Sequence, residues 1–307
     1  MQEIVFKPGF IERYSELTDF ETFKKASLEL LERSARINTL KISPKELIER
    51  MKKEWEFKQV PWFKDGYFME NKKGRRDIGN TLESALGYIY VQEASSMIPP
   101  VVLDPKPGEV VLDIAASPGS KTTQMAAMMR NKGIIVANDI KPDRMKSLVM
   151  NLQKCGVQNV VTTMQEGRKF SGYQFDKVLV DAPCSGTGTI KKSLKTINIW
   201  NPSMIKRLSF IQKKLLITGF ENLKPGGVLV YSTCSVEPEE NEGVVSWLLE
   251  KKDDAKIDEV DVNLKKSKPI EEFGGENYNP EVKKTLRIWP QDNNTCGFYI
   301  AKVRKLN

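Results

Sequence analysis

The chain has 307 residues, 48 Lys and Arg against 40 Asp and Glu, four cysteines and no histidine. That length can bury a large core and has room for two domains, and the lack of histidine excludes a His-dependent triad and argues against a catalytic metal. Four cysteines without a close pair give neither a disulfide framework nor a CxxC zinc site, so the expectation is a cytoplasmic enzyme with free thiols and no metal.

Nothing resembles a signal peptide, and no apolar run approaches the ~20 residues that span a bilayer, so no membrane partner is expected. The net charge of +8 favours an anionic partner. Residues 101–200 hold 14 basic against 8 acidic residues, which concentrates the positive field there.

Residues 1–36 read as an amphipathic packing helix, with Phe20, Phe23, Leu28, Leu31 and Ile37 at helical spacing. INTLKI (37–42) reads as a short strand. Ser43, Pro44 and Glu46 then open a helix that ends near Glu54, with Ser43 as N-cap and Glu46 completing a capping box. In EFKQVPWFKDGYFMEN, Asp65-Gly66 signals a hairpin turn. Its Trp62, Phe63, Tyr67 and Phe68 are expected to form the core of a small α+β unit, and Asn71–Arg76 is a basic loop. Residues 87–108 read as a bridge, which sets the domains at 1–95, helical plus the small α+β unit, and 96–307.

From Glu109 onward, buried apolar runs alternate with helical patterns, the signature of a doubly wound parallel sheet. EVVLDI, GIIVANDI, VVTTMQ, FDKVLV and GGVLVYST are the strands; helices follow the first two, a basic loop (191–195) follows the fourth, and further helices run from Pro202 to about Leu223 and from about Glu237 to Lys251. Residues 252–283 read as an excursion, and TLRIWP and FYIAKVRK as a closing strand pair at the sheet edge.

Ligands of open α/β sheets sit beyond the carboxyl ends of the strands. The fourth strand ends in Asp181-Ala-Pro-Cys184, the fifth in Cys234-Ser, so a carboxylate and two thiols reach one edge. That set suggests nucleophilic chemistry. A helix beginning in SVEPEEN would lower the Cys234 pKa from its N-terminus. Cys155 and Cys296 read as structural.

The turn after the first strand, Ala115-Ala116-Ser117-Pro118-Gly119-Ser120-Lys121, opens a helix and should cradle a ligand. Asp139, twenty residues after Gly119 at the second strand's end, suits ribose hydroxyls. GxGxxG is absent, and a P-loop would need glycine where Ala115 and Ser120 stand. S-adenosyl-L-methionine, with a ribose and no phosphates, remains.

RINTLK, YVQEASSMIPPVVLDPKPGE, DIAASPGSKT, DAPCSGTG, LKPGGVLVYSTCSVEPEENE and RIWP…GFYIAKVRK together resemble the Nop/Sun (RsmB-type) RNA cytosine-5 methyltransferases, over about Arg36 to Arg304. QEASSMIPPVVL looks most like the archaeal tRNA-modifying members. The resemblance implies a methyltransferase-type Rossmann sheet with an antiparallel edge strand, preceded by a small RNA-recognition-like domain. It implies cofactor contacts from Ala115–Lys121, Asp139, Arg144, Glu166 and Asp181, and RNA, by choice tRNA, as partner. SPGSK replaces the family's usual APGGK, Glu166 stands where Asp is commoner, and the C-terminal loop lacks the family's histidines.

Cytosine C5 is too weak a nucleophile to take a methyl group unaided, and a thiolate adding at C6 makes it enamine-like. The chemistry leaves open which cysteine attacks; the resemblance implies Cys234, with Cys184 assisting product release. Asp181 is expected to hydrogen-bond the cytosine N4/N3 edge, with Lys121 aiding electrostatically. Lys191, Lys192 and Lys195 are candidate phosphate contacts, beside a base that must leave its stack. A uracil-5 methyltransferase, an rRNA enzyme and a catalytically silent RNA-binding assembly factor are the alternatives.

Overall fold

The computed structural model describes residues 4–307. Its small sheet contains β1 (Ser34–Ile37), β2 (Trp55–Gln59), β3 (Gly66–Asn71) and β4 (Ile89–Val91), all antiparallel in the order β2-β3-β1-β4. The main sheet contains β5 (Val110–Asp113), β6 (Ile134–Asp139), β7 (Val160–Met164), β8 (Phe175–Asp181), β9 (Leu223–Thr233), β10 (Ala255–Asp258) and β14 (Phe298–Lys305). β11 (Glu272–Phe273) and β12 (Glu276–Asn277) form a separate hairpin, and β13 (Leu286–Ile288) pairs with β14.

The main sheet runs β10-β14-β9-β8-β5-β6-β7, parallel from β9 through β7. β14 is antiparallel to β9, and residues from the excursion add β10 beyond it. Strand order reverses at β5, which lies between β6 and β8, so the crevice opens at its carboxyl end. Asp181 pairs with Ser232, which brings the ends of β8 and β9 level. Apolar clusters cover both faces: Phe175, Val178, Val180 and Leu229 toward one side, Val111, Leu179, Val230 and Ile300 toward the other.

Local chemistry explains where elements stop. The segment read as one N-terminal helix is two, Pro8–Leu17 and Phe20–Leu28, because Asp19 turns out of helical conformation and accepts a capping hydrogen bond from Thr22 N at 2.8 Å. Ile37 belongs to β1 instead. The expected strand 37–42 lies earlier: Asn38 ends β1 by donating to the Gly87 and Cys155 carbonyls, both at 2.8 Å, and accepting from Leu40 N. The capping box is present at Ser43, but the helix it opens spans Pro44–Met51.

The bridge holds β4 and a helix, Ile98–Leu103, whose Pro99 and Pro100 sit in the first turn where no amide donor is needed. The basic stretch 191–195 leads into a further helix, Lys195–Ile199. The helix expected from Glu237 starts at Glu242, because Asn241 breaks away (φ −119°, ψ −97°) to accept from Thr233 Oγ1 at 2.6 Å and donate to the Ser235 carbonyl at 3.0 Å. The four aromatics do not form the small unit's own core: Trp62 and Phe63 are buried with Met97, Ile98 and Val102 against the catalytic half, where half-buried Phe68 also packs, and only half-buried Tyr67 packs on the small unit's core.

The two N-terminal helices lie on the catalytic half. Phe10, Tyr14, Phe20 and Phe23 pack with Trp200, Ile205, Val236 and Trp289. Among the described residues no helix is long and apolar enough to cross a membrane, and no group of His, Cys, Asp and Glu could hold a metal.

Candidate active site

The carboxyl ends of β8 and β9 bring the two thiols together: the Sγ atoms of Cys184 and Cys234 are 3.3 Å apart, both half-buried and unbridged. Their hydrogen bond separates their acidities. It pushes the Cys184 thiol well above the ordinary range, with burial adding to it. The same bond draws the Cys234 thiol down; Lys121 and Lys192 act in the same sense, against burial and Asp181. Cys234 is therefore the more acidic of the two thiols and Cys184 the less acidic. The α-helix expected just after Cys234 begins eight residues on, at Glu242, after a 3-10 turn at Pro238–Glu240.

Asp181 is fixed on both sides. Its Oδ2 accepts from Lys121 Nζ at 2.6 Å, and its Oδ1 from Ser232 Oγ at 2.8 Å. Lys121 is itself buried, with its ammonium 5.6 Å from the Phe298 ring centroid.

The turn after β5 is held by its neighbours. Ala116 N donates to the Asn138 carbonyl at 2.7 Å, and Gly119 N to the Ala116 carbonyl at 2.7 Å. Arg144 donates to the Ser117 carbonyl at 2.8 Å and Asn151 to that of Pro118 at 2.9 Å. Gly119 takes φ 101°, and a Cβ there would meet Leu148 at 2.9 Å. Ala115 and Ser120 are half-buried and Pro118 is exposed.

Asp139 is buried under Arg144, with an ion pair of 3.4 Å, and accepts only long bonds of 3.3 Å from Ser117 N and Lys141 N. Buried Ser117 Oγ and Asp113 Oδ1 have no protein partner. Burial, with Asp181 adding to it, raises Asp113 to about 7 despite a 2.7 Å bond from Thr122 Oγ1. Unfilled polar atoms and carboxylates at the switch point fit an adenosyl cofactor with a cationic sulfonium. Glu166, farther out, is paired with Arg168 at 2.7 Å and Lys169 at 3.4 Å, which hold its carboxyl below the usual range.

Several supporting residues were missed in the sequence. Glu240 is buried and ties both cysteine loops together: it accepts from Ser185 N at 3.0 Å, from Ser185 Oγ, from Ser235 Oγ at 2.5 Å and from Gln212 Nε2 at 2.9 Å. The repeated Cys-Ser pair at both strand ends, with the acid cluster just after, is the signal that could have found it. The two loops also approach without side chains: Gly188 N donates to the Cys234 carbonyl at 3.0 Å, and a Cβ on Gly188 would lie 2.3 Å from the Gly297 carbonyl oxygen. Beyond them, buried Arg287 makes a bidentate pair with Glu242 and donates to the Val236 carbonyl at 2.8 Å.

Glu237, fully buried, accepts from Tyr14 Oη at 2.7 Å, Arg13 Nε at 2.7 Å and Trp200 Nε1 at 3.0 Å. Two residues of the first helix thus reach the Cys234 loop. Among the sequence-predicted residues, Cys184, Cys234, Asp181 and Lys121 converge, Ala115–Ser120, Asp139 and Arg144 form the adjoining cradle, and Glu166 stands at its outer side.

A family model described as 16S rRNA methyltransferase RsmB/F matches residues 100–304, and one described as the N-terminal domain of 16S rRNA methyltransferase RsmF matches residues 6–94. The chain is 50% identical over 298 residues to a tRNA (cytosine(49)-C(5))-methyltransferase of Pyrococcus abyssi, covering 96% of this chain and 95% of that protein. It is 40% identical to the ribosomal RNA small subunit methyltransferase F of Vibrio atlanticus, over 94% of this chain but 60% of that longer protein. Among solved structures, a methyltransferase homolog protein from Pyrococcus horikoshii superposes with TM-score 0.84 at 39% identity, covering 98% of this chain and all of that one. NSun6 from Pyrococcus horikoshii, solved with SFG, superposes with TM-score 0.87 at 26% identity over 99% of both chains.

Proposed function

The chain belongs to the RsmB/F methyltransferase family and is an S-adenosylmethionine-dependent RNA (cytosine-5) methyltransferase, and from that premise we propose that its substrate is transfer RNA, attacked through Cys234. The observation that carries the tRNA reading is the 50% identity to the Pyrococcus abyssi enzyme across 95% of its length. The rRNA-methylating relatives match at lower identity and extend well beyond the region shared with this chain.

In this reading the Cys234 thiolate adds to C6 of an unstacked cytosine. Asp181, held by Lys121 and Ser232, hydrogen-bonds the N4/N3 edge and steadies the charge that develops there. Bound S-adenosylmethionine supplies the methyl group that C5 takes. The turn Ala115–Lys121, with Asp139, Arg144, Glu166 and Asp181, is assigned to holding it. Once the Cys234 sulfur is bonded to C6 it no longer holds a thiolate beside Cys184, and Cys184 gives its proton to solvent; its thiolate then takes the C5 proton, the C5–C6 double bond re-forms and Cys234 leaves as thiolate. The small β1–β4 sheet is assigned to RNA recognition.

The direct test supplies radiolabelled S-adenosylmethionine with tRNA transcripts carrying C or U at each candidate position. Label should enter the C transcript and appear as 5-methylcytosine. Label in the U transcript, or only in ribosomal RNA, would overturn the reading.

A pH dependence follows from the thiol acidities. Cys234 must be deprotonated to attack, so kcat/KM should rise with pH and level off above its lowered pKa. Lys121→Met removes a cation that favours the thiolate, so the rising limb should move to higher pH. A profile that stays in place would show that Lys121 does not act on that sulfur.

A further inference from the structure

Between Asp181 and Glu221 the chain carries seven cationic residues (Lys191, Lys192, Lys195, Lys206, Arg207, Lys213 and Lys214) and no carboxylate, in a protein that elsewhere mixes its charges. None of the seven forms an ion pair among the described residues. Lys192, Lys195, Lys206, Arg207 and Lys214 are exposed.

The helix Pro202–Glu221 arranges part of this charge on a rigid face. It is N-capped by Asn201, which accepts from Met204 N at 2.8 Å; its buried side carries Ser209 and Gln212, packs Leu215 and Leu216 on the sheet and sets Ile205 against the N-terminal helices. The opposite side presents Lys206, Phe210 and Lys214 as one i, i+4 ridge about 12 Å long. Arg207 and Ile211 form the ridge beside it. Phe210 is 59% exposed, an unusual position for a phenylalanine, and Lys214 lies 5.6 Å from its ring centroid.

The face is coupled to the reaction centre. Gln212, on its buried side, donates at 2.9 Å both to the Pro183 carbonyl, next to Cys184, and to Glu240. Lys192, in the loop that precedes this helix, contributes to the field at Cys234.

We propose that this face, with Lys192 and Lys195, is the track that holds the RNA backbone beside the flipped cytidine, and that Phe210 stacks on an unpaired base. The proposal rests on RNA being the substrate and adds where it lies. Phosphates select unpaired cations, and an exposed ring among cations is the arrangement that grips single-stranded segments. A protein partner would favour a face with its charges thinned out at the centre, whereas here Lys206, Arg207 and Lys214 surround the ring.

The test measures binding of full-length protein to a tRNA transcript by filter retention between 50 and 300 mM salt, conditions spanning the range where counterion release is read (about a 0.7–0.9 slope change per phosphate contact). Lys206→Gln/Arg207→Gln should weaken binding by roughly tenfold at low salt and flatten the log–log salt slope by about 1.5. Phe210→Ala should weaken it by roughly tenfold with the slope unchanged, because stacking releases no counterions. In turnover the loss should appear in KM for RNA, and cofactor affinity without RNA should match wild type, which also reports correct folding.

Wild-type RNA affinity and slope in both variants would overturn the proposal. So would unchanged RNA binding with an altered oligomeric state, which would make the face a protein contact. Failure of the wild-type protein to methylate RNA would sink the functional reading by itself, and the salt slopes would still judge the surface.

Discussion

Cys234→Ala is expected to abolish methyl transfer, by about 10⁴-fold or more, while S-adenosylmethionine still binds. The size follows from what the sulfur does. Without covalent addition at C6, C5 remains part of an aromatic ring, and neither Asp181 nor Lys121 can make it nucleophilic. The substitution removes little else: Cys234 is half-buried, and the contact between its loop and Gly188 is made by its backbone carbonyl. Cofactor affinity by calorimetry and methyl incorporation by scintillation counting together check this. Full activity with intact binding would remove Cys234 from the chemistry.

Cys184→Ala should have a different effect: a covalent RNA–protein adduct that survives denaturing electrophoresis. Addition and methylation would proceed on Cys234, but the base 3.3 Å away would be gone. The C5 proton would stay, the double bond could not re-form, and Cys234 would have no route out. Turnover should fall close to a single event per molecule. The adduct should need both the target cytosine and S-adenosylmethionine, and normal turnover with no retarded band would make Cys184 structural. The pair thus separates the roles: one variant never bonds to RNA and the other cannot let go.

The convergence of Cys184, Cys234, Asp181 and Lys121 was legible because its parts are local. Each cysteine follows an apolar run that can only be a buried strand, and the turn Ser117-Pro118-Gly119 follows another, so the strand ends had to share an edge. Sequence spacing also carried the capping box at Ser43 and the pairing of β13 with β14. Less was legible where a distant group decides the outcome. The helix after Cys234 looks continuous from Glu237, yet Thr233 and Ser235 capture Asn241 and delay it. Glu240 reads as one more surface acid in EPEENE, and its role depends on Ser185, 55 positions away. The N-terminal helices were recognisable by their apolar spacing, but no spacing says that their partners are Trp200 and Trp289.

That last contact bears on how the molecule can be divided. Arg13 neutralises Glu237, a carboxylate with no access to water that sits three positions past Cys234. A buried charge stripped of its counterion costs about 3–5 kcal/mol. A fragment cut at the start of the parallel sheet would therefore keep Cys184, Cys234, Asp181 and Lys121 and still be crippled, with an aromatic wound open on its flank. Any truncation or graft therefore has to carry the opening helix together with the loop after β9 as one part.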